Sequence, residues 1–199
     1  TSGETLLTIS WVNLLIQAYC EEFSASDDVC LIIRNRDVDD LIRTQRTTLF
    51  NDFDLSINKK IKDIIKNLLI IKNCPEIIFI DEFLFQDNQA EIMSLYKSSD
   101  CFVYPYYIES IGKYLLEAMS FGLPVITNDK GTALDFCNED NSFLVETEWE
   151  DTGITSFADI PLVDNFYQFI PNVKSLKKQM RYIFENREIA LEKGRIAKK

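Results

Sequence analysis

Residues 104–127 read YPYYIESIGKYLLEAMSFGLPVIT, and the way this stretch divides decides the fold. It opens at the end of an apolar strand, residues 101–104, which Pro105 interrupts. A loop carrying one acid, Glu109, comes next. The spacing predicts a helix over 112–121, stopped by Gly122, and a second strand over 124–127. A glycine just past a helix with a proline soon after is a stop signal. Strand, loop, helix and strand of this length make one parallel crossover unit. Its loop and helix N-terminus lie beyond the carboxyl end of the strand, where open α/β sheets place their ligands. Two carboxylates belong to the unit, Glu109 in the loop and Glu117 in the helix, with seven residues between them.

Outward from this unit the alternation continues. Upstream, residues 5–10, 29–33 and 77–80 are apolar, β-branched runs of the buried-strand type. Residues 11–23 and 89–98 have helical periodicity, and 57–69 reads as an amphipathic Lys/Ile/Leu helix with a solvated basic face. A shorter amphipathic piece covers 41–46. Downstream, the polar turn 128–132 leads into a short helix over 133–136, and 142–145 is a sixth strand. Residues 146–172 are acidic and aromatic-rich and read as a long irregular surface excursion, followed by terminal helices over 173–184 and 187–197. Six strands with helices between them predict an α/β fold, a doubly wound parallel sheet of Rossmann type with order 3-2-1-4-5-6, in a single domain spanning 1–199. Ser10 meets Trp11 with no loop between them, whereas such junctions normally take about two to six residues. Gly131 and Thr132, ahead of a helix, either turn backbone N–H groups toward an anion or simply make the turn.

The 199 residues suit one large domain, and 46% hydrophobic with 27% charged residues is ordinary for a globular chain. With 32 acids against 21 bases the formal charge is −11, a field that repels nucleic acid and anionic lipid. The basic cluster of Lys193, Arg195, Lys198 and Lys199 reads as the favoured cationic end of a helix. No apolar run reaches membrane-spanning length and the N-terminus has no signal-peptide pattern, so no transmembrane segment is expected. The five cysteines (Cys20, Cys30, Cys74, Cys101, Cys137) show no paired spacing and read as buried, reduced thiols of a cytoplasmic protein. There is no histidine, which excludes His-ligated zinc and Ser-His or Cys-His catalysis within the chain. Neither a G-x-G-x-x-G nor a P-loop fingerprint is present.

Most glutamates are solvated surface acids, and Glu109 and Glu117 taken singly would be no more than that. Their setting argues otherwise. The run ESIGKYLLEAMSFGLPVI is similar to the E-x7-E segment in the nucleotide-sugar domain of family-4 (group 1) retaining glycosyltransferases. It matches in register at Glu109, Gly112, Glu117, Ala118, Met119, Gly122, Pro124, Val125 and Ile126. IIFIDEFLF resembles the family's base-contacting strand and loop, and GTALDF followed by NSFLV resembles its next turn and strand.

The resemblance implies the C-terminal, donor-binding half of a two-domain GT-B enzyme, located in the cytoplasm and peripheral to a membrane through other parts of the protein. It implies transfer from a UDP- or GDP-sugar, with retention and without bound metal or cofactor, to a glycan or lipid-linked acceptor held by an N-terminal domain that is absent here. Glu109 would be the catalytic residue, holding donor-sugar hydroxyls beside the anomeric centre where positive charge grows. Glu117 would accept hydrogen bonds from the ribose hydroxyls. Ser110 and the N–H groups of Ile111, Gly112 and Lys113 would face the diphosphate. Asp81, Glu82 and Phe83 would meet the base, and Gly131 and Thr132 would complete the donor site. The chain departs from the pattern at Ser110, where the family has Gly, and lacks a basic loop that would stand between Ser10 and Trp11. Two readings from other classes remain: a non-catalytic glycosyltransferase-like binding module, and a GT-B nucleotide-sugar epimerase, which would usually need a histidine or another base.

Overall fold

The computed structural model describes residues 11–35, 73–81, 89–153, 155–157, 160–161, 163–164 and 166–199. These residues fall into two compact units, Val12–Met93 on one hand and Ser94–Lys199 together with Trp11 on the other.

In the first unit, helix α1 (Trp11–Glu22) buries Leu14, Leu15, Ala18 and Tyr19, a stripe of helical period. Strands β1 (Cys30–Asn35) and β2 (Glu76–Asp81) pair in parallel, with Ile32 opposite Ile78. The Tyr19 hydroxyl donates to the carbonyl of Glu76 at 3.1 Å, holding the helix at the start of β2. There Cys20 and Cys74 form a disulfide with Cα atoms 4.9 Å apart, within the span such a bridge covers. This corrects the reading of all five cysteines as reduced. The two are 54 positions apart, so no local spacing announces the pair; tertiary packing of α1 brings them together. Cys30 is exposed, again contrary to expectation, while Cys137 is buried and its thiol is pushed up to about 12 by that burial. Replacing Cys20 by Ser should lower unfolding stability by about 2 kcal/mol, because the bridge restricts the unfolded chain. Urea melts of oxidised wild type and variant check this, and equal midpoints would refute it.

Helix α2 (Gln89–Ser98), which belongs to the second unit from Ser94 onward, leads to strand β3 (Phe102–Tyr104). Strands β3, β4 (Val125–Asn128) and β5 (Phe143–Val145) lie side by side and parallel, with Tyr104 opposite Thr127 and Asn128 opposite Val145. Every residue of β4 is buried, as the middle strand of a covered parallel sheet requires. The crossover helix α3 (Lys113–Ser120) buries Leu115, Ala118 and Met119. It ends as the sequence predicts: the Gly122 N–H donates to Met119 O at 2.8 Å and the Leu123 N–H to Ala118 O at 3.2 Å, the paired bonds of a Schellman stop. A single 3-10 turn (Thr132–Asp135) follows β4. Helix α4 (Val173–Glu185) is capped by the Asn172 side chain, which accepts from Ser175 N at 3.0 Å, and helix α5 (Arg187–Ala197) closes the chain.

The expected α/β class with parallel strands is the one found, and the pairings seen agree with the expected neighbours. The strand expected over 5–10 and the helices expected over 41–46 and 57–69 lie outside the described residues. One expectation is overturned. Residues 146–172 are not irregular throughout: β6 (Thr147–Asp151) and β9 (Tyr167–Pro171) form an antiparallel ribbon with Trp149 opposite Phe169. The runs TEWED and YQFIP carry a two-residue alternation that their acid content hides. Between them, β7 (Ser156–Phe157) and β8 (Ile160–Pro161) make a small hairpin ladder. Among the described residues no helix is long and apolar enough to cross a membrane.

Candidate functional site

The loop after β3 is pinned before it presents anything. Pro105 and Tyr106 are buried, and the Tyr106 hydroxyl donates to Lys130 O at 2.8 Å while accepting from Ala133 N at 3.2 Å. Asn128, at the end of β4, donates its side-chain amide to Tyr106 O at 2.7 Å. On this fixed base stands Glu109. Its Oε1 accepts from the N–H groups of Ser110 at 2.9 Å, Ile111 at 3.1 Å and Gly112 at 3.1 Å, and its Oε2 accepts from the Tyr104 hydroxyl at 2.6 Å. Partial burial, the largest single influence, pushes the carboxyl upward. The Tyr104 bond and the three N–H donors together outweigh it and hold Glu109 below the usual carboxylate range. Tyr104 moves the other way, raised by burial and then by its bond to the Glu109 charge.

These bonds change the assignment of donors at the start of α3. The N–H groups of Ile111 and Gly112, expected to face a diphosphate, donate to Glu109. The first intrahelical bond runs from Leu116 N to Gly112 O at 3.0 Å, so the N–H groups of Lys113, Tyr114 and Leu115 precede it and form the open end of the helix.

Glu117 lies one turn into the helix, where its Oε2 accepts from the Tyr96 hydroxyl at 3.2 Å and its Oε1 is 3.7 Å from Lys113 Nζ. Tyr96 packs on Phe102 with ring centroids 5.8 Å apart, and Phe102 stacks on Tyr104 at 5.7 Å. The two carboxylates are thus fastened to opposite ends of one three-ring ladder, through Tyr96 at one end and Tyr104 at the other. Sequence reasoning did not single out Tyr96, Tyr104, Tyr106 or Asn128. For Tyr104 and Tyr106 the signal is the aromatic density of YPYY, which reads equally well as core, and Tyr96 reads as an apolar position of its helix.

The remaining expected residues divide. Gly131 sits where an added Cβ would come within 2.7 Å of the Phe169 ring and 3.0 Å of the Tyr106 hydroxyl, so this turn is held by close packing. The adjoining Thr132 begins the 3-10 turn, whose Ala133 N–H is already taken by Tyr106. Lys130 donates to Thr147 O and lies 3.5 Å from Asp129. Asp81 closes β2 opposite Asn35 in the other unit, and Glu82 and Phe83 lie outside the described residues.

The model of the family described as group 1 glycosyl transferases matches residues 55–154, which contain the whole segment from Glu109 to Glu117. Among solved structures, the fold is similar to that of Anabaena HepE in complex with UDP-glucose, at a TM-score of 0.59 and 18% identity over 93% of this chain and 38% of that one. It is also similar to a glycosyltransferase from Rickettsia africae, at a TM-score of 0.54 and 18% identity over 92% of this chain and 45% of that one. The chain therefore spans less than half the length of either. No curated protein matches the chain. At such identities the two structures speak for the fold alone, and kinship rests on the sequence match, which runs across half of the residues and through both acids. On that match the chain belongs to the group 1 glycosyl transferases.

Proposed function

We propose that this chain is the donor-binding part of a retaining glycosyltransferase that takes a sugar from a UDP- or GDP-sugar and passes it to a glycan or lipid-linked acceptor. The observation that carries the reading is Glu109, an acid held ionised beyond the carboxyl end of β3 and tied through a ring ladder to Glu117. In this reading Glu117 accepts hydrogen bonds from the ribose hydroxyls, for which its two oxygens suffice. Glu109 faces the donor sugar, where a carboxylate favours the positive charge that grows at the anomeric carbon as the diphosphate leaves. The leaving group needs compensation of the opposite sign. Lys113 and the open N–H groups at the start of α3 supply it, with Gly131 and Thr132 shaping the neighbouring turn. Glu109 itself stays hydrogen-bonded to Ser110, Ile111 and Gly112 and is thereby aimed. Acceptor binding belongs to a further domain, so the isolated chain should bind donor and transfer little.

HepE is described with UDP-glucose, which makes uridine nucleotides the first to try. At a ligand concentration of about 100 Kd, UDP-sugar should raise the melting temperature by roughly 5–10 °C. Glu117→Ala should remove most of that rise with little change in the melting temperature of the protein alone, since its ion pair with Lys113 is exposed and its bond to Tyr96, at 3.2 Å, is only partly buried. A panel of UDP-, GDP- and ADP-sugars that leaves the wild-type transition unmoved would overturn the proposal and favour a non-catalytic module.

A further inference from the structure

Glu109 offers a ligand less than its charge suggests. A carboxylate has about four places for donors, two on each oxygen. The N–H groups of Ser110, Ile111 and Gly112 all bond to Oε1, so that oxygen is filled. Among the described residues Oε2 accepts from the Tyr104 hydroxyl alone, at 2.6 Å. One place is therefore left on the carboxylate, and it lies beside that phenol.

Tyr104 has room of its own. Its proton goes to Oε2, which leaves the phenol oxygen able to accept. Burial raises the phenol above its ordinary value and the bond to the Glu109 charge adds to the rise, so the proton stays on Tyr104 and the bond keeps its direction. The ring is fixed from several sides. Trp11 and Tyr114 stand edge-on to it at 5.4 and 6.4 Å between centroids, Phe102 stacks on it at 5.7 Å, and Tyr106 tilts against it at 5.7 Å. A phenylalanine would make the same ring contacts, so packing does not account for the hydroxyl. Tyr104 and Glu109 are each only half-buried.

Two acceptors thus stand 2.6 Å apart on rigid supports, Glu109 Oε2 and Tyr104 Oη, each with a lone pair to give. A pair of hydroxyls on neighbouring carbons of a sugar ring matches them, because the oxygens of such a pair lie about a hydrogen-bond length apart. One hydroxyl donates to the carboxylate and the other to the phenol, and the phenol's own bond to the carboxylate strengthens both. A sugar lacking either hydroxyl leaves one acceptor without its donor, which a site built for both rejects.

We propose that Tyr104 is a specificity-determining residue of the donor site, accepting from one hydroxyl of a vicinal diol on the donor sugar while Glu109 accepts from its neighbour. This rests on the glycosyltransferase reading given above and adds to it the class of sugar, one with free hydroxyls on adjacent carbons. Tyr104→Phe keeps the ring contacts and removes the hydroxyl alone. Wild type and variant are titrated calorimetrically with UDP and GDP, with UDP-glucose and GDP-mannose, and with the monodeoxy analogues of whichever sugar nucleotide binds. Wild type should bind one analogue about tenfold or more weaker than the parent, and Tyr104→Phe should bind that analogue and the parent equally. The variant should keep its preference for the adjacent hydroxyl, read by Glu109, and should bind the nucleoside diphosphate as wild type does. A hydroxyl that merely props Glu109 predicts otherwise, with parent and every analogue weakened by one common factor; that result overturns the proposal. Unchanged affinity of the variant for the parent, or a wild type indifferent to every deletion, overturns it too. A wild type that binds none of the nucleotides would instead sink the donor reading beneath it.

Discussion

Glu109→Gln is expected to leave folding stability nearly unchanged while weakening UDP- or GDP-sugar binding by roughly 10- to 100-fold, the worth of a charged hydrogen bond. The amide has the shape of the carboxyl. Its oxygen can go on accepting from Ser110, Ile111 and Gly112, and its NH2 can donate to Tyr104, whose hydroxyl turns to accept. What disappears is the charge. Glu109→Ala removes the bonds as well, uncovers three N–H groups ahead of α3, and should cost about 1–2 kcal/mol, as loss of a helix-capping side chain does. The two variants together separate a binding role from a structural one: in Gln affinity falls alone, in Ala affinity and stability fall together. The pH dependence follows from the direction of the shift. Because the folded-state carboxyl lies below its unfolded value, its contribution to stability is complete above the unfolded value and is lost as pH falls through the folded one. Donor affinity carried by the ionised form should therefore be flat from about pH 8 to about pH 5 and drop only in stronger acid. Calorimetric titration of wild type and Glu109→Gln at three pH values checks both statements. Equal affinity in the two proteins would remove Glu109 from the site.

The crossover unit was legible because its signals are local. Pro105 ends a strand, Gly122 and Pro124 stop a helix, and Leu115, Ala118 and Met119 repeat at the helical period, so β3, α3 and β4 could be placed within a residue or two. The features that escaped depend on groups far apart in sequence. Cys20 meets Cys74 only because α1 packs at the start of β2. Trp149 and Phe169 stand 20 positions apart and meet only through the pairing of β6 with β9, and the acids beside the rings disguise the strands as loop. For the site, the two acids and their spacing stood out, yet their manner of support did not. Helix-end reasoning turned the N–H groups of Ile111 and Gly112 toward a ligand, when an acid two or three residues upstream reaches them first. The tyrosines that orient both acids are hydrophobic by composition and reveal their hydroxyl bonds only when partners such as Glu109 and Lys130 are in place.

Gly194→Ala should destabilise the fold by about 3 kcal/mol, although reasoning from the helix alone gives the opposite sign. Gly194 lies inside α5, where exchanging glycine for alanine ordinarily gains about 1 kcal/mol through helix propensity. Here the helix crosses the turn between α3 and β4 with no room for a side chain. An added Cβ would stand 2.2 Å from the carbonyl oxygen of Gly122, 3.0 Å from its carbon and 3.1 Å from the nitrogen of Pro124. All three are backbone atoms of the turn that ends α3, where the Gly122 and Leu123 N–H groups are both bonded, so it cannot give way without opening the end of the helix. A methyl group therefore lifts α5 off the turn, and the contacts that bury Ala190 one helical turn earlier are lost with it. The displaced turn leads straight into β4, so the strain reaches the sheet that carries the Glu109 loop. Denaturant unfolding should show a lower midpoint with little change in slope. An unchanged or raised midpoint would mean that α5 does not seat on the Gly122 turn in solution, and that propensity alone governs the position.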